Sequence, residues 1–142
     1  MIRDFIVIKK TCFILLLIFV RSAFSIPDGT LYHCPSLSDI HYNKGYFKSE
    51  TNYNGLHITW QSFQSFPQKY LEVSEFRLVR RDYCIGGVCE ITCVYRTNKD
   101  SELSFNIGDG YKSEDVGLGD WLYDDALCRA ENSEHCSFYL TN

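Results

Sequence analysis

Residues 84–93 read CIGGVCEITC: three cysteines within ten residues, two of them flanking a Gly-Gly pair. Three chemistries compete for such a stretch. A zinc site wants paired C-x2-C or C-x2-H ligands, four in all. Here the spacings are C-x4-C and C-x3-C, with no histidine nearby. A redox dithiol of the thioredoxin kind wants C-x-x-C at the start of a helix, which is absent. The remaining reading is a hairpin. Gly86-Gly87 suits a two-residue type I′ turn, whose two central positions both need positive φ. Ile85 then faces Val88, and Cys84 faces Cys89 in a non-hydrogen-bonded pair, where side chains approach closely enough for a bridge. The stretch therefore predicts a covalently clipped β-hairpin closed by Cys84–Cys89, with a loop-closure contribution of about 2 kcal/mol.

The flanks of the turn extend that reading. In VCEITCVYR, Cys89, Ile91, Cys93 and Tyr95 share one face. Strict pairing about the turn would set Arg80 opposite Cys93 and Asp82 opposite Ile91, an awkward match for a buried face. A bulge or a larger loop is expected there. LHITWQSF alternates in the same way, with Leu56, Ile58 and Trp60 on one side. Asn54-Gly55 precedes it, a strong hairpin signal, and YFKSETNY is its expected partner strand. ELSFNI at 102–107, SFYL at 137–140 and GLGDWLY are further strand candidates. DDALCRAE is the one helical candidate, and SLSDI after Cys34-Pro35 suits a single helical turn. The fold class expected is all-β: a small antiparallel sandwich or barrel cross-linked by about three disulfides.

The first residues bear on the compartment. Arg3, Lys9 and Lys10 precede an apolar run from Cys12 to Val20, and Ala23-Phe24-Ser25 offers small residues at a cleavage site. This predicts a secretory signal peptide over 1–25 and one disulfide-containing domain over 26–142. The apolar run ends at Arg21, well short of the roughly 20 residues a spanning helix needs. Without residues 1–25, ten Lys+Arg stand against seventeen Asp+Glu, a net charge of −7. So acidic a chain repels phosphate backbones, and no nucleic-acid partner is expected. Nor is a membrane partner expected after signal cleavage. The destination is periplasmic or secreted, and the protein a monomer.

Six cysteines remain: Cys34, Cys84, Cys89, Cys93, Cys128 and Cys136. An even number in a short exported chain reads as a disulfide framework. Cys128 and Cys136 pair most simply with each other. A Cys34–Cys93 bridge would close a long loop, worth about 4 kcal/mol. The competing arrangement crosses these two, with Cys34 or Cys93 bonded to Cys128 or Cys136.

No catalytic or cofactor motif is present, and neither a cofactor nor a metal is expected. No Gly-x-Ser-x-Gly accompanies the four histidines, His33, His41, His57 and His135. Asp109, Glu114, Asp115, Asp120, Asp124 and Asp125 lie among glycines, as calcium ligands do, but without the EF-hand spacing. A solvated acidic loop is the simpler expectation. Aromatics are abundant, and Tyr is enriched at recognition surfaces. Tyr42, Tyr46 and Tyr53 stand in turn-rich stretches and Trp60 in the strand beside them; these four are the candidate binding residues. The leading expectation is a non-enzymatic protein- or glycan-binding module. The alternatives are a small secreted hydrolase using His57 or the acidic loop, and an inhibitor that presents the bridged Cys84–Cys89 loop.

Cys34-Pro35 near the mature start, the central Trp60, and Gly87 ahead of Cys93-x-Tyr95 resemble a bacterial family of small exported proteins known only as a domain of unknown function. The resemblance spans roughly residues 30–100, and Cys84 and Cys89 are additions to its pattern. It implies a periplasmic or secreted bacterial protein with Cys34 paired to Cys93, and it carries no activity.

Overall fold

In the computed structural model, residues 30–53, 55–65, 71–108 and 110–141 are described. The expected signal peptide over 1–25 lies outside the described residues, as does Asp109. Among the described residues there are eleven β-strands, no α-helix and two short 3-10 turns. The strands are β1 Leu31–His33, β2 His41–Asn43, β3 Tyr46–Tyr53, β4 Leu56–Ser62, β5 Val73–Ile85, β6 Val88–Thr97, β7 Glu102–Ile107, β8 Lys112–Val116, β9 Trp121–Leu122, β10 Leu127–Arg129 and β11 Ser137–Thr141. Every pairing between them is antiparallel. The SLSDI segment supplies the first 3-10 turn, Leu37–Asp39.

Strand β6 organises the molecule. Along one side it pairs with β5 through its whole length. Along the other it pairs with β7 from Thr92 onward, and with β8 through Cys89 and Ser113. The sheet therefore divides at β6. One branch runs β7–β4–β3–β2 and the other β8–β11–β1. The branches curl toward each other into a half-barrel. Phe138 of β11 sets its ring edge-on to Trp60 of β4, and Tyr32 of β1 meets Tyr53 of β3 in the same way. No pairing joins β1 to β2 among the described residues, so the curl stays open.

The interior follows from strand alternation. Inward positions carry Phe47, Ile58, Trp60, Tyr95, Phe105 and Phe138, all buried. Burying a Phe- or Ile-sized side chain stabilises by about 1.5–3 kcal/mol. Three bridges cross-link the strands: Cys34–Cys93, Cys84–Cys89 and Cys128–Cys136. The crossed arrangement does not occur. The Tyr95 hydroxyl donates to the Pro35 carbonyl at 2.6 Å, a second tie beside Cys34–Cys93. Burial, and secondarily Asp39, pushes the Tyr95 phenol far above its ordinary range.

The clipped hairpin contains the bulge its sequence calls for. Gly86 and Gly87 turn with φ of 61° and 86°, and Ile85 pairs with Val88. Tyr83 then adopts a left-handed φ of 52°, and the register slips by one residue. Val79 faces Cys93, Arg80 faces Thr92, and Arg81 faces Ile91. The slip moves an apolar residue onto the core face in place of Arg80.

The helix expected at DDALCRAE does not form. Tyr123, Asp124 and Asp125 take left-handed φ values of 56°, 53° and 60°, and Leu127–Arg129 becomes β10. Eight residues make a marginal helix without strong packing. Here the competing state places Cys128 opposite Val79 and within bonding distance of Cys136.

Candidate functional site

The four aromatic candidates do not converge on one face. Tyr42 pairs with Phe47 on the inward side of the sheet, their rings edge-on at 5.5 Å. Tyr53 is half-buried and its hydroxyl is engaged by His33 Nε2; burial, then Glu134 and Asp39, raise its phenol's pKa. Trp60 is 2 % exposed and belongs to the core. Its indole has no face to offer a ligand. Tyr46 alone shares a strand face with the exposed polar residues of β3. Alternation accounts for the split. Phe47, Ser49 and Tyr53 fall inward along β3, so Tyr46, Lys48 and Glu50 fall outward.

That outward face carries a trough of about 540 Å3 across β3, β4 and β7. Two cross-strand rows form it. Lys48 pairs with Gln61, and Gln61 with Asn106. Glu50 pairs with Thr59, whose carbonyl accepts the Gly108 N–H at 2.8 Å. At one end stands Phe63, 58 % exposed, its N–H donating to Ser104 O. The trough thus combines an ammonium, a carboxylate, two primary amides and a hydroxyl with an aromatic shelf. The Thr92 hydroxyl donates to Asn106 Oδ1 at 3.3 Å and fixes that amide from the neighbouring strand. A Cβ at Gly108 would lie 2.5 Å from Thr59 Oγ1, so a side chain there would displace that hydroxyl.

A second surface forms at the end of the half-barrel. The Arg81 guanidinium donates to three carbonyls from three segments: Gly87 at 3.2 Å, Glu114 at 3.2 Å and Asp125 at 3.3 Å. It thereby gathers the hairpin tip, β8 and the β9–β10 turn around one cation. The Arg81 N–H also donates to Ala126 O. Consecutive left-handed residues are costly for side chains with a Cβ, so this turn depends on its surroundings.

Among the described residues no histidine nitrogen meets a carboxylate. His57 bonds Asn52 Oδ1, His41 the Asp39 carbonyl, and His33 both Tyr53 and the Cys34 carbonyl. Among the described residues no three His, Cys, Asp or Glu side chains gather as ion ligands. Nor is any helix among them long and apolar enough to cross a membrane.

The trough carries no sequence motif. Gln61 and Asn106 are 45 positions apart, and only the β4–β7 register brings them together. Its one early signal is the outward period of β4, on which His57, Thr59 and Gln61 alternate with the buried residues. No protein-family model matches this chain, and neither does any curated protein or solved structure.

Proposed function

We propose that this chain is an exported, non-enzymatic β-domain that binds a glycan along the trough of β3, β4 and β7. The observation that supports the reading is the arrangement of the trough: a row of amides and charges beside an exposed aromatic ring. A saccharide offers hydroxyl groups, which both donate and accept, together with an apolar C–H face. Gln61 and Asn106 can donate and accept through one side chain each, Lys48 donates and Glu50 accepts. Phe63 supplies a flat apolar face. Charge-assisted bonds from Lys48 and Glu50 are the stronger ones. An apolar anchor pocket, the usual centre of a protein interface, is not part of the trough.

Export supports the same reading. The basic start, the apolar run and the small residues before Ile26 form a signal peptide cleaved after Ser25. Three disulfides suit an oxidising compartment, the periplasm or the medium. The family resemblance adds a bacterial source, and the mature protein acts as a monomer.

Glycan-array screening of the oxidised mature protein, followed by calorimetry on the best binder, tests the proposal. Saturable binding is expected. Phe63→Ala and Gln61→Ala should each weaken it by about tenfold, the equivalent of about 1.4 kcal/mol. Absence of any saturable glycan, or affinity unchanged in both variants, refutes it.

A further inference from the structure

We infer that the end of the half-barrel gathered by Arg81 is a second docking surface, shaped for a cationic protein face and independent of the trough. Its centre is aromatic and aliphatic. Tyr83, Ile85 and Tyr123 are 81 %, 80 % and 78 % exposed, the three most exposed large hydrophobic side chains among the described residues. Large apolar groups left this open on a small domain mark interaction sites when they cluster. Arg81 hydrogen-bonds the backbone of both the hairpin that carries Tyr83 and Ile85 and the turn that carries Tyr123, which sets the two segments side by side.

The surface is rigid before any partner arrives. Cys84–Cys89 clips the hairpin immediately beside Tyr83 and Ile85. Among the described residues, four of the six non-glycine residues with left-handed φ are found here: Tyr83, Tyr123, Asp124 and Asp125. A bulky residue held in that conformation is a genuine outlier, and such outliers concentrate at binding sites. Ordering these side chains in advance lowers the entropy lost on association.

Charge selects the partner. Glu114 and Asp125 lend their carbonyls to Arg81, Asp124 adjoins Asp125, and Glu90 stands in the same hairpin. None of these carboxylates forms an ion pair among the described residues. The Arg81 guanidinium is spent on backbone carbonyls, and that of Arg80 on Asp82, the cross-strand neighbour of Glu90. Elsewhere Glu75 and Asp100 are both paired with arginines. The surface thus joins exposed apolar anchors to uncompensated negative charge, which complements a Lys/Arg-bearing protein face and repels an acidic one.

Three synthetic hexapeptides probe the inference by NMR titration of the oxidised protein: alternating Lys-Leu, Lys-Ser and Glu-Leu. The Lys-Leu peptide should shift the amides of Tyr83, Ile85 and Tyr123, and bind about tenfold tighter than either of the others. Combining Glu114→Gln, Asp124→Asn and Asp125→Asn should abolish that preference, while Glu131→Gln with Glu134→Gln, at a different acidic site, should leave it unchanged. Added salt should weaken the Lys-Leu complex. Shifts spread evenly over the acidic surface, equal binding of the Lys-Leu and Glu-Leu peptides, or no Lys-Leu binding would each overturn the inference. Because no trough residue is altered, a failure here leaves the glycan result standing, and the reverse also holds.

Discussion

Two disulfides end on the same strand and the same face of β6, four residues apart, at Cys89 and Cys93. They serve different ends. Cys34–Cys93 spans 59 positions of sequence, is fully buried, and joins the start of the β1 branch to the central strand. Cys84–Cys89 spans five positions and sits at an exposed tip. The first restricts how the two branches can separate. The second restricts a turn that the rest of the fold scarcely depends on. A bridge's contribution to stability follows the length of loop it closes, whereas its contribution to recognition follows what it holds at the surface.

The largest effect should come from breaking the buried bridge. Cys34→Ala with Cys93→Ala should cost about 4 kcal/mol in a urea denaturation series, plus a smaller loss from the emptied core volume. That is a large part of the 5–15 kcal/mol typical of a whole domain. The paired substitution at the tip, Cys84→Ser with Cys89→Ser, should cost about 2 kcal/mol in the same series. It should also raise hydrogen exchange at the amides around Gly86-Gly87 without raising it in β4 or β7. Equal losses in the two variants would show that the tip bridge supports the fold as strongly as the seam, and would erase the contrast.

How far the sequence discloses this structure depends on where apolar alternation meets a turn signal. Gly86-Gly87 fixes a hairpin, and the mismatch of Arg80 and Asp82 against β6 calls for a bulge. YFKSETNY and ELSFNI coincide with β3 and β7 to the residue. By contrast β8, sequence KSEDV, has no apolar residue before Val116. It is a strand because β11 supplies a partner, a tertiary cause that local pattern does not record. The left-handed turn at Tyr123–Asp125 is invisible for a similar reason, since the carbonyl it presents to Arg81 belongs to the assembled end of the half-barrel. Among the aromatic candidates, density of Tyr in turn-rich stretches is a weaker guide than parity along β3. Parity sends Phe47 and Tyr53 inward and Tyr46 outward. The trough residues are legible only once three strands are placed in register.

The smallest effect separates the seam from the tip by pH. Tyr95 is buried at the seam and its pKa is raised above the ordinary 10.0, first by burial and then by Asp39. Tyr32 is raised too, by burial and then by Tyr111. A raised phenol pKa means that the folded state holds its proton where the unfolded chain releases it. Below about pH 10 both states are protonated and the full stability is present. Above it the unfolded chain ionises first, and stability falls as pH rises toward the folded-state value. Tyr95→Phe removes the donor to Pro35 O and should cost about 1 kcal/mol near neutral pH. It should also flatten the loss of stability above about pH 10, because one of the protons that the native state retains is gone. Tyr83→Phe, at an exposed side chain, should leave the stability near neutral pH unchanged. Urea midpoints at about pH 7 and about pH 11 on the three proteins decide the matter. An alkaline slope for Tyr95→Phe as steep as that of the unaltered protein would remove burial of this phenol as the source of the pH dependence.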